Sequence, residues 1–323
     1  MARIVDKNYF PGWVRKSVTF TIDDGNINMD RKFLEILRPA GVKGTFNLCS
    51  HNMGYFDAEG YREFYRGYEI ANHAKYHVAS MSTELLDRVS DQPFDKTLSD
   101  ENCIYPHQSA VGAYHIHYNL RYPANPPRQK PDGWTVCAMP DEYIRFANLG
   151  CEELEEIFGK GNVRGFVYPG GKGSARYAVD AVLAQNYFYV RKTGNLKDTT
   201  GFSMPADRQE WTYNASHNDI LDVMAAYEKY EDDGELKFFS FGVHSVDYEK
   251  AEKWDDLREF ARLYGNRPDT YFYGGVAEIF DYEDAIAALE VTDEKITNDS
   301  DLDLYVTVDG ERVIVKAHSV LNI

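Results

Sequence analysis

SVTFTIDDGN, residues 17–26, decides the reading of this chain. Six residues rich in β-branched and aromatic types form a strand, and the run closes on Asp23, Asp24 and Gly25. Acidic residues and Gly often end strands in turns, so the two carboxylates gain meaning only from partners elsewhere in the chain. A helical pattern follows: MDRKFLEILRPAG (29–41) sets Phe33, Leu34, Ile36 and Leu37 on one face, with Gly41 placed to end it. KGTFNL (43–48) reads as the next strand, EGYREFYRGY (59–68) as a helix, and YEIANH (68–73) as strand and turn. This β-α-β-α-β order is the pattern of a parallel sheet.

The alternation breaks between about 90 and 150, where YPANPPRQKP (122–131) can continue neither a strand nor a helix. It returns with CEELEEIFGKG as a helix, GFVYPGG (165–171) as a strand and tight loop, SARYAVDAVLAQN (174–186) as a helix and YFYVRKT (187–193) as a strand. KFFSFGVH (237–244), KWDDLREFARLYG (253–265), TYFYGG (270–275) and EDAIAALE (283–290) continue strand, helix, strand, helix. About seven strand–helix pairs point to a barrel or a barrel-like sheet over residues 1–290. In the remainder, 291–323, DLYVTV and ERVIVK alternate around Asp309-Gly310, a strong hairpin signal. A lone hairpin is marginal in water, so this one is expected to pack on the barrel.

Composition narrows the function. The chain has 323 residues, 43% hydrophobic and 27% charged, which gives a packed globular core. A net charge of -17 argues against nucleic acid as a partner, because phosphate binding needs a basic surface. No GxGxxG or Walker sequence is present, which weighs against nucleotide binding. No apolar run is long enough for a membrane span. The N-terminal MARIVDKNYFPGWVRK lacks a continuous apolar stretch, so a cytoplasmic location is expected, or secretion if a leader precedes it. Cys49, Cys103, Cys137 and Cys151 lack any CxxC spacing and read as buried free thiols. The 24 Tyr, 18 Phe and 4 Trp suit a core first and sugar rings second.

The chemistry-bearing residues cluster at the carboxyl ends of the expected strands. Asp23 and Asp24 follow VTFTI, His73 and His77 follow YEIAN, Tyr168 and Pro169 follow GFV, Arg191 ends YFYV and His244 ends FFSFGV. In a parallel barrel those ends open on one face, where active sites form. His73 and His77 are four residues apart and can pinch one ion. Two histidines on a surface loop would show the same spacing, and the aspartate pair at another strand end tips the reading towards a metal. Two imidazoles and one carboxylate suit zinc, cobalt, nickel or iron(II) and leave positions open for water and substrate. One aspartate would then be a ligand and the other would take a proton from water beside the ion. His244, alone on its strand end, reads as structural by itself. Facing a metal site, its near-neutral pKa would suit it to protonate a leaving group.

Taken in order, TFTIDDG, NHAKYH, FVYPGG and FGVH resemble the polysaccharide deacetylases of the NodB-homology carbohydrate esterase family. The resemblance spans about residues 17–285, with a divergent middle. It implies a distorted (β/α) barrel of about seven parallel strands and one divalent metal ion, zinc first, with cobalt or nickel as the alternatives. Asp24, His73 and His77 would be the ligands, Asp23 the general base and His244 the general acid. The loop after Tyr168 would offer a backbone N–H, that of Gly170, to an oxyanion, with Tyr168 and Arg191 beside it as further oxyanion or substrate contacts. The family's third motif carries an Arg where this chain has Val167, and Arg191 is the expected replacement. A fourth motif, an Asp and a Trp supporting the catalytic His, is blurred, with Asp207 and Trp211 in MPADRQEW as candidates. The implied activity is metal-dependent removal of acetyl groups from a carbohydrate oligomer or polymer, by attack of metal-bound water. Hydrolysis of small linear or cyclic amides on the same fold is the second reading, and a non-catalytic carbohydrate-binding barrel the third. His107, His115 and His117, in the irregular middle, are expected among the substrate contacts or as plain loop residues.

Overall fold

The computed structural model describes residues 3–77, 79–80, 116–117, 136–138, 140–169, 183, 186–192 and 201–323. Seven parallel strands build the central sheet: β1 (Lys16–Asp24), β2 (Gly44–Leu48), β3 (Glu69–Asn72), β4 (Gly165–Val167), β5 (Tyr189–Arg191), β6 (Lys237–His244) and β7 (Tyr271–Tyr273). Their order is β6-β1-β2-β3-β4-β5, and β7 pairs with residues 16–18 of β1. β1 pairs with β6 along its length, Lys16 opposite Lys237 through Asp23 opposite His244. Between β5 and β6 the sheet is bridged by the segment around 211–215. Arg191 pairs with Trp211 and Ala215 with Phe241, both in parallel. The sheet therefore curls into a distorted barrel, the architecture expected from the sequence.

The helices pack outside. They are α1 (Ile27–Leu37), α2 (Ala58–Phe64), α3 (Pro140–Phe158), α4 (Ile220–Lys229), α5 (Ser245–Lys250), α6 (Trp254–Tyr264) and α7 (Val276–Ala288). On β1 the alternation has a physical meaning. Val18, Phe20 and Ile22 join Phe33, Leu34, Leu37, Leu257 and Phe260 of α1 and α6 in the main apolar cluster. Ser17, Thr19, Thr21 and Asp23 take the opposite face, and all are buried. Because both faces are covered, the strand is buried throughout, as parallel strands in α/β proteins are. The polar face is a wall inside the barrel that runs up to Asp23.

The tail holds more strands than its hairpin signal. Leu304–Val308 and Glu311–Val315 form the hairpin, with Asp309 (φ 52°) and Gly310 (φ 86°) at its turn. The N-terminal strand Val5–Asp6 pairs antiparallel with Leu304–Val308. Lys295–Asn298 pairs with Glu290–Val291 and with Ser319–Asn322. Ile296, Leu304, Val306 and Val315 bury against Phe280 and Ile286 of α7. Among the described residues, no helix is long and apolar enough to cross a membrane. The expected helix at 174–186 and the Pro-rich loop at 122–131 lie largely or wholly outside the described residues. EGYREFYRGY is helical only to Phe64, and α7 starts seven residues before the expected 283.

Candidate active site and metal centre

Asp23 is the last inward residue of β1, so strand parity alone would turn Asp24 to the other face. The backbone overrides parity: Asp24 has φ 82° and Gly25 φ 75°. Aspartate tolerates this left-handed region better than most residues, and such strain collects at functional sites. The result is two adjacent carboxylates serving one location. Asp24 Oδ1 lies 3.5 Å from Nε2 of His73 and 3.5 Å from Nε2 of His77. Asn52 Nδ2 donates to the Asp24 carbonyl at 2.7 Å and fixes the turn.

His73 is buried, and its Nδ1 lies 2.8 Å from the Val167 carbonyl oxygen. A carbonyl can only accept, so Nδ1 carries the proton and Nε2 presents its lone pair towards Asp24. The loop between the two histidines is clamped from α3. The Lys75 N–H donates to the Phe146 carbonyl at 2.9 Å, and the Lys75 ammonium pairs with Glu153. Gly150 permits this approach: a Cβ there would sit 2.6 Å from Ala74 C and from Lys75 N.

Asp24, His73 and His77 fit a metal ion. Their ligand atoms lie within 4.8 Å of one another. Asp24 Oδ1 and His73 Nε2 are buried with no hydrogen-bond partner. The two 3.5 Å separations are too long for hydrogen bonds, yet match the roughly 3.4 Å edge of a tetrahedron with ligand bonds near 2.0–2.1 Å. Burial works against the Asp24 charge, but His73 and His77 hold its carboxyl well below the usual range. Burial and the neighbouring His73 lower the pKa of His77, which keeps its ring neutral for ligation.

Asp23 is held differently. Asn47 Nδ2, from β2, donates to Asp23 Oδ1 at 2.7 Å and to Thr21 Oγ1 at 2.6 Å. Arg191, at the end of β5 and fully buried, donates from Nη2 to Oδ2 at 2.6 Å and also to Oδ1. Its guanidinium carbon lies 5.5 Å from the centre of the Tyr213 ring. Burial would raise the Asp23 pKa, but Arg191, His73 and His244 outweigh it and keep the carboxyl ionised. Asp23 thus takes its cation from the end of β5, while the Val167 backbone orients His73.

His244 stands directly across from Asp23 in the β1–β6 register. Its Nδ1 lies 2.8 Å from Asp247 Oδ2, in the first turn of α5. Burial would lower the pKa of His244, but Asp247, Asp23 and Asp24 raise it to about 9. The near-neutral value expected from sequence is therefore corrected: three carboxylates surround one imidazole. Next to it, Ser245 Oγ donates to Asp30 at 2.6 Å, and Tyr65 OH donates to the same carboxyl at 2.8 Å. Burial pushes Asp30 up to about 7.

Other expectations fare differently. The Tyr168 ring is buried at 1% exposure and stacks on Tyr143 at 6.2 Å, and its backbone N–H donates to the Arg191 carbonyl. Apolar packing claims that ring, which offers no open face to a substrate. Asp207 is an exposed loop residue accepting the Gln209 N–H at 2.7 Å, and Trp211 is a core residue against Phe238 and Phe280. The partner of His244 is instead Asp247. Gly170, His107 and His115, and the side chain of His117, lie outside the described residues. Cys49 and Cys151 are free thiols. Sequence reasoning missed Asn47, Asp247, Asp30 and the α3 clamp. Asn47 could have been found as a polar residue inside the apolar strand KGTFNL, and Asp247 as an acid three residues after His244.

Residues 14–125, which carry both the Asp-Asp-Gly and the His-x-x-x-His motifs, match the polysaccharide deacetylase family. Among solved structures, the chain is similar to a CE4 esterase from Streptococcus mutans, at 18% identity over 81% of this chain and 86% of that one, with a TM-score of 0.44. It is similar to the peptidoglycan deacetylase PdaC from Bacillus subtilis at 13% identity, covering 85% and 94% of the two chains, with a TM-score of 0.44. A third is the Xyl-CE4 domain of a multidomain xylanase from the hindgut metagenome of Trinervitermes trinervoides, at 15% identity over 84% and 92%, TM-score 0.44. No curated protein sequence matches.

Proposed function

We propose that this protein is a metal-dependent hydrolase that removes acetyl groups from a carbohydrate. One observation carries the reading: a buried, unpartnered Asp24 Oδ1 and His73 Nε2 converge with His77 beside a second carboxylate, Asp23, that is separately held by Arg191. A divalent ion bound by Asp24, His73 and His77, with zinc the best fit to this ligand set, would acidify a water and polarise the acetyl carbonyl.

The chain's own residues divide the remaining work. Asp23, kept ionised by Arg191, takes a proton from the attacking water as its oxygen bonds to the carbonyl carbon. His244, whose Nδ1 faces Asp247, has Nε2 left to deliver a proton to the sugar nitrogen or oxygen as that bond to carbon breaks. Acetate and the free sugar group leave. A raised pKa suits His244 to this role, because it must arrive protonated. The family match over residues 14–125 supports the same reading.

The test is acetate release by the zinc-loaded protein from N-acetylated oligosaccharides, O-acetylated xylan and a generic acetyl ester. Release from a sugar substrate is expected, and the responding substrate separates amide from ester. No acetate from any of them, with hydrolysis of small amides instead, would replace this reading by that of a small-amide hydrolase.

A further inference from the structure

α5 carries Asp247, the partner of His244, yet the helix has little of its own to hold it in place. It runs for only six residues, Ser245–Lys250, and His244 at its N-cap makes no side-chain capping bond. A helix of that length is unstable by itself, so its position is set by what it touches. At the far end Tyr248 is buried, with its ring 5.4 Å from that of Phe33 and 5.4 Å from that of Trp254. At the near end the anchor is polar: Ser245 Oγ donates to Asp30 Oδ1 at 2.6 Å, and both residues are buried.

Asp30 lies in the first turn of α1, the helix that opens just after the Asp24–Gly25 turn. Its N–H donates to the Asn26 carbonyl at 2.7 Å. Its second carboxyl oxygen, Oδ2, accepts from Tyr65 OH at 2.8 Å, and the Tyr65 ring packs 4.8 Å from that of Phe46 in β2. One carboxyl thus joins α1, the start of α5 and the end of α2 through two neutral hydroxyls. A buried carboxyl is costly, and apolar packing alone would hold helices together. What apolar packing lacks is direction, which a hydrogen bond supplies along with distance. The strands β1 and β6 already set Asp23 opposite His244. The Asp30–Ser245 bond adds a second tie, between the two helices that leave those strand ends.

We propose that Asp30 is a positioning residue for the candidate general acid: through Ser245 it seats the first turn of α5, so that Asp247 meets His244 Nδ1 and the ring keeps its aim. The proposal rests on the hydrolase reading for the task His244 performs.

The test compares the zinc-loaded protein with Ser245→Ala, Asp30→Asn and Tyr65→Phe. Nitrogen NMR of the histidine rings, with His244→Gln to assign the signal, reads the Nδ1–Asp247 hydrogen bond. Calorimetry gives zinc affinity, and acetate release gives kcat and KM. Ser245→Ala and Asp30→Asn are expected to move the His244 Nδ1 signal. They should also lower kcat about tenfold, a part of what a general acid supplies, with KM and zinc affinity little changed. Tyr65→Phe removes the bond on the other oxygen and leaves Ser245 held, so it should lower the melting temperature without moving the His244 signal. In an Asp247→Asn background, adding Ser245→Ala should cost no further kcat, because the effect runs through that carboxylate. Ser245→Ala keeps the test decisive should Asp30→Asn fail to fold. An unmoved His244 signal in Ser245→Ala, or an equal shift in Tyr65→Phe, overturns the proposal and leaves Asp30 a residue of fold stability alone. If the unsubstituted protein releases no acetate, the hydrolase reading fails, and the NMR comparison still decides whether Asp30 positions His244.

Discussion

Arg191 Nη2 lies 2.6 Å from Asp23 Oδ2 across the inside of the barrel, from the end of β5 to the end of β1. Both side chains are buried. Removing one member of a buried ion pair strands the other, at about 3–5 kcal/mol. Arg191→Met is therefore expected to destabilise the fold by that order in urea titrations, and adding Asp23→Asn to recover much of the loss. The pH dependence has a definite sign. The folded Asp23 pKa is depressed, so its contribution to stability is present above the unfolded carboxylate value and lost as pH falls through the folded value. In Arg191→Lys, with a poorer fit to the carboxylate, the acid limb of the activity profile should move to higher pH. An unmoved limb would separate Asp23 from the titrating base.

The two adjacent aspartates should separate in a metal assay. Asp24→Ala and His77→Ala are expected to lose stoichiometric zinc binding, whereas Asp23→Asn keeps the ion and loses about 10²- to 10⁴-fold in kcat. Calorimetric zinc titration and steady-state rates on the same samples read both quantities. Full turnover by Asp23→Asn would remove Asp23 from the role of base.

Asp247 makes a prediction on the basic side. The pKa of His244 is raised to about 9, with the Asp247 hydrogen bond the largest of the raising influences. Asp247→Asn should let it fall, so the basic limb of the kcat profile moves to lower pH. The loss at about pH 8.5 should exceed that at about pH 6.5. The linked stability effect has the same origin: with a raised folded pKa, the stabilisation is complete below the ordinary imidazole value and disappears as pH rises through about 9. Parallel profiles for the two proteins would show that Asp247 does not set the His244 proton.

Gly150 tests the clamp on the histidine loop. Its missing Cβ would lie 2.6 Å from Ala74 C, Asn72 Oδ1 and Lys75 N. Gly150→Ala is expected to cost about 1–3 kcal/mol and to weaken zinc affinity, since His73 and His77 flank the displaced backbone. Unchanged melting and zinc affinity would show that the loop adjusts freely.

Much of this was legible in the sequence because parallel strands buried on both faces leave continuous apolar runs, and the ends of those runs are where side chains converge. Asp23, Asp24, His73, His77, Arg191 and His244 all sit at such ends, so locating the strands also located the residues. The unread part consists of relationships without a local pattern. Strand parity does not announce that Asp24 reverses its φ. The orientation of His73 by a Val167 carbonyl uses backbone that any residue would supply. The pairing of Val5–Asp6 with Leu304–Val308 joins the two ends of the chain. Asp207 and Trp211 misled because spacing around a tryptophan cannot tell a site residue from a core one. Here Trp211 fills the core and Asp247, one turn after His244, supplies the carboxylate.

The most direct test of the account is a zinc titration of metal-stripped protein, with acetate release from an N-acetylated oligosaccharide and from acetylated xylan followed on the same samples. The account predicts one zinc per chain, with release from a sugar substrate rising in proportion to occupancy and reaching its plateau at one equivalent. Zinc bound at one equivalent without acetate release, or release unaffected by stripping the metal, would contradict it.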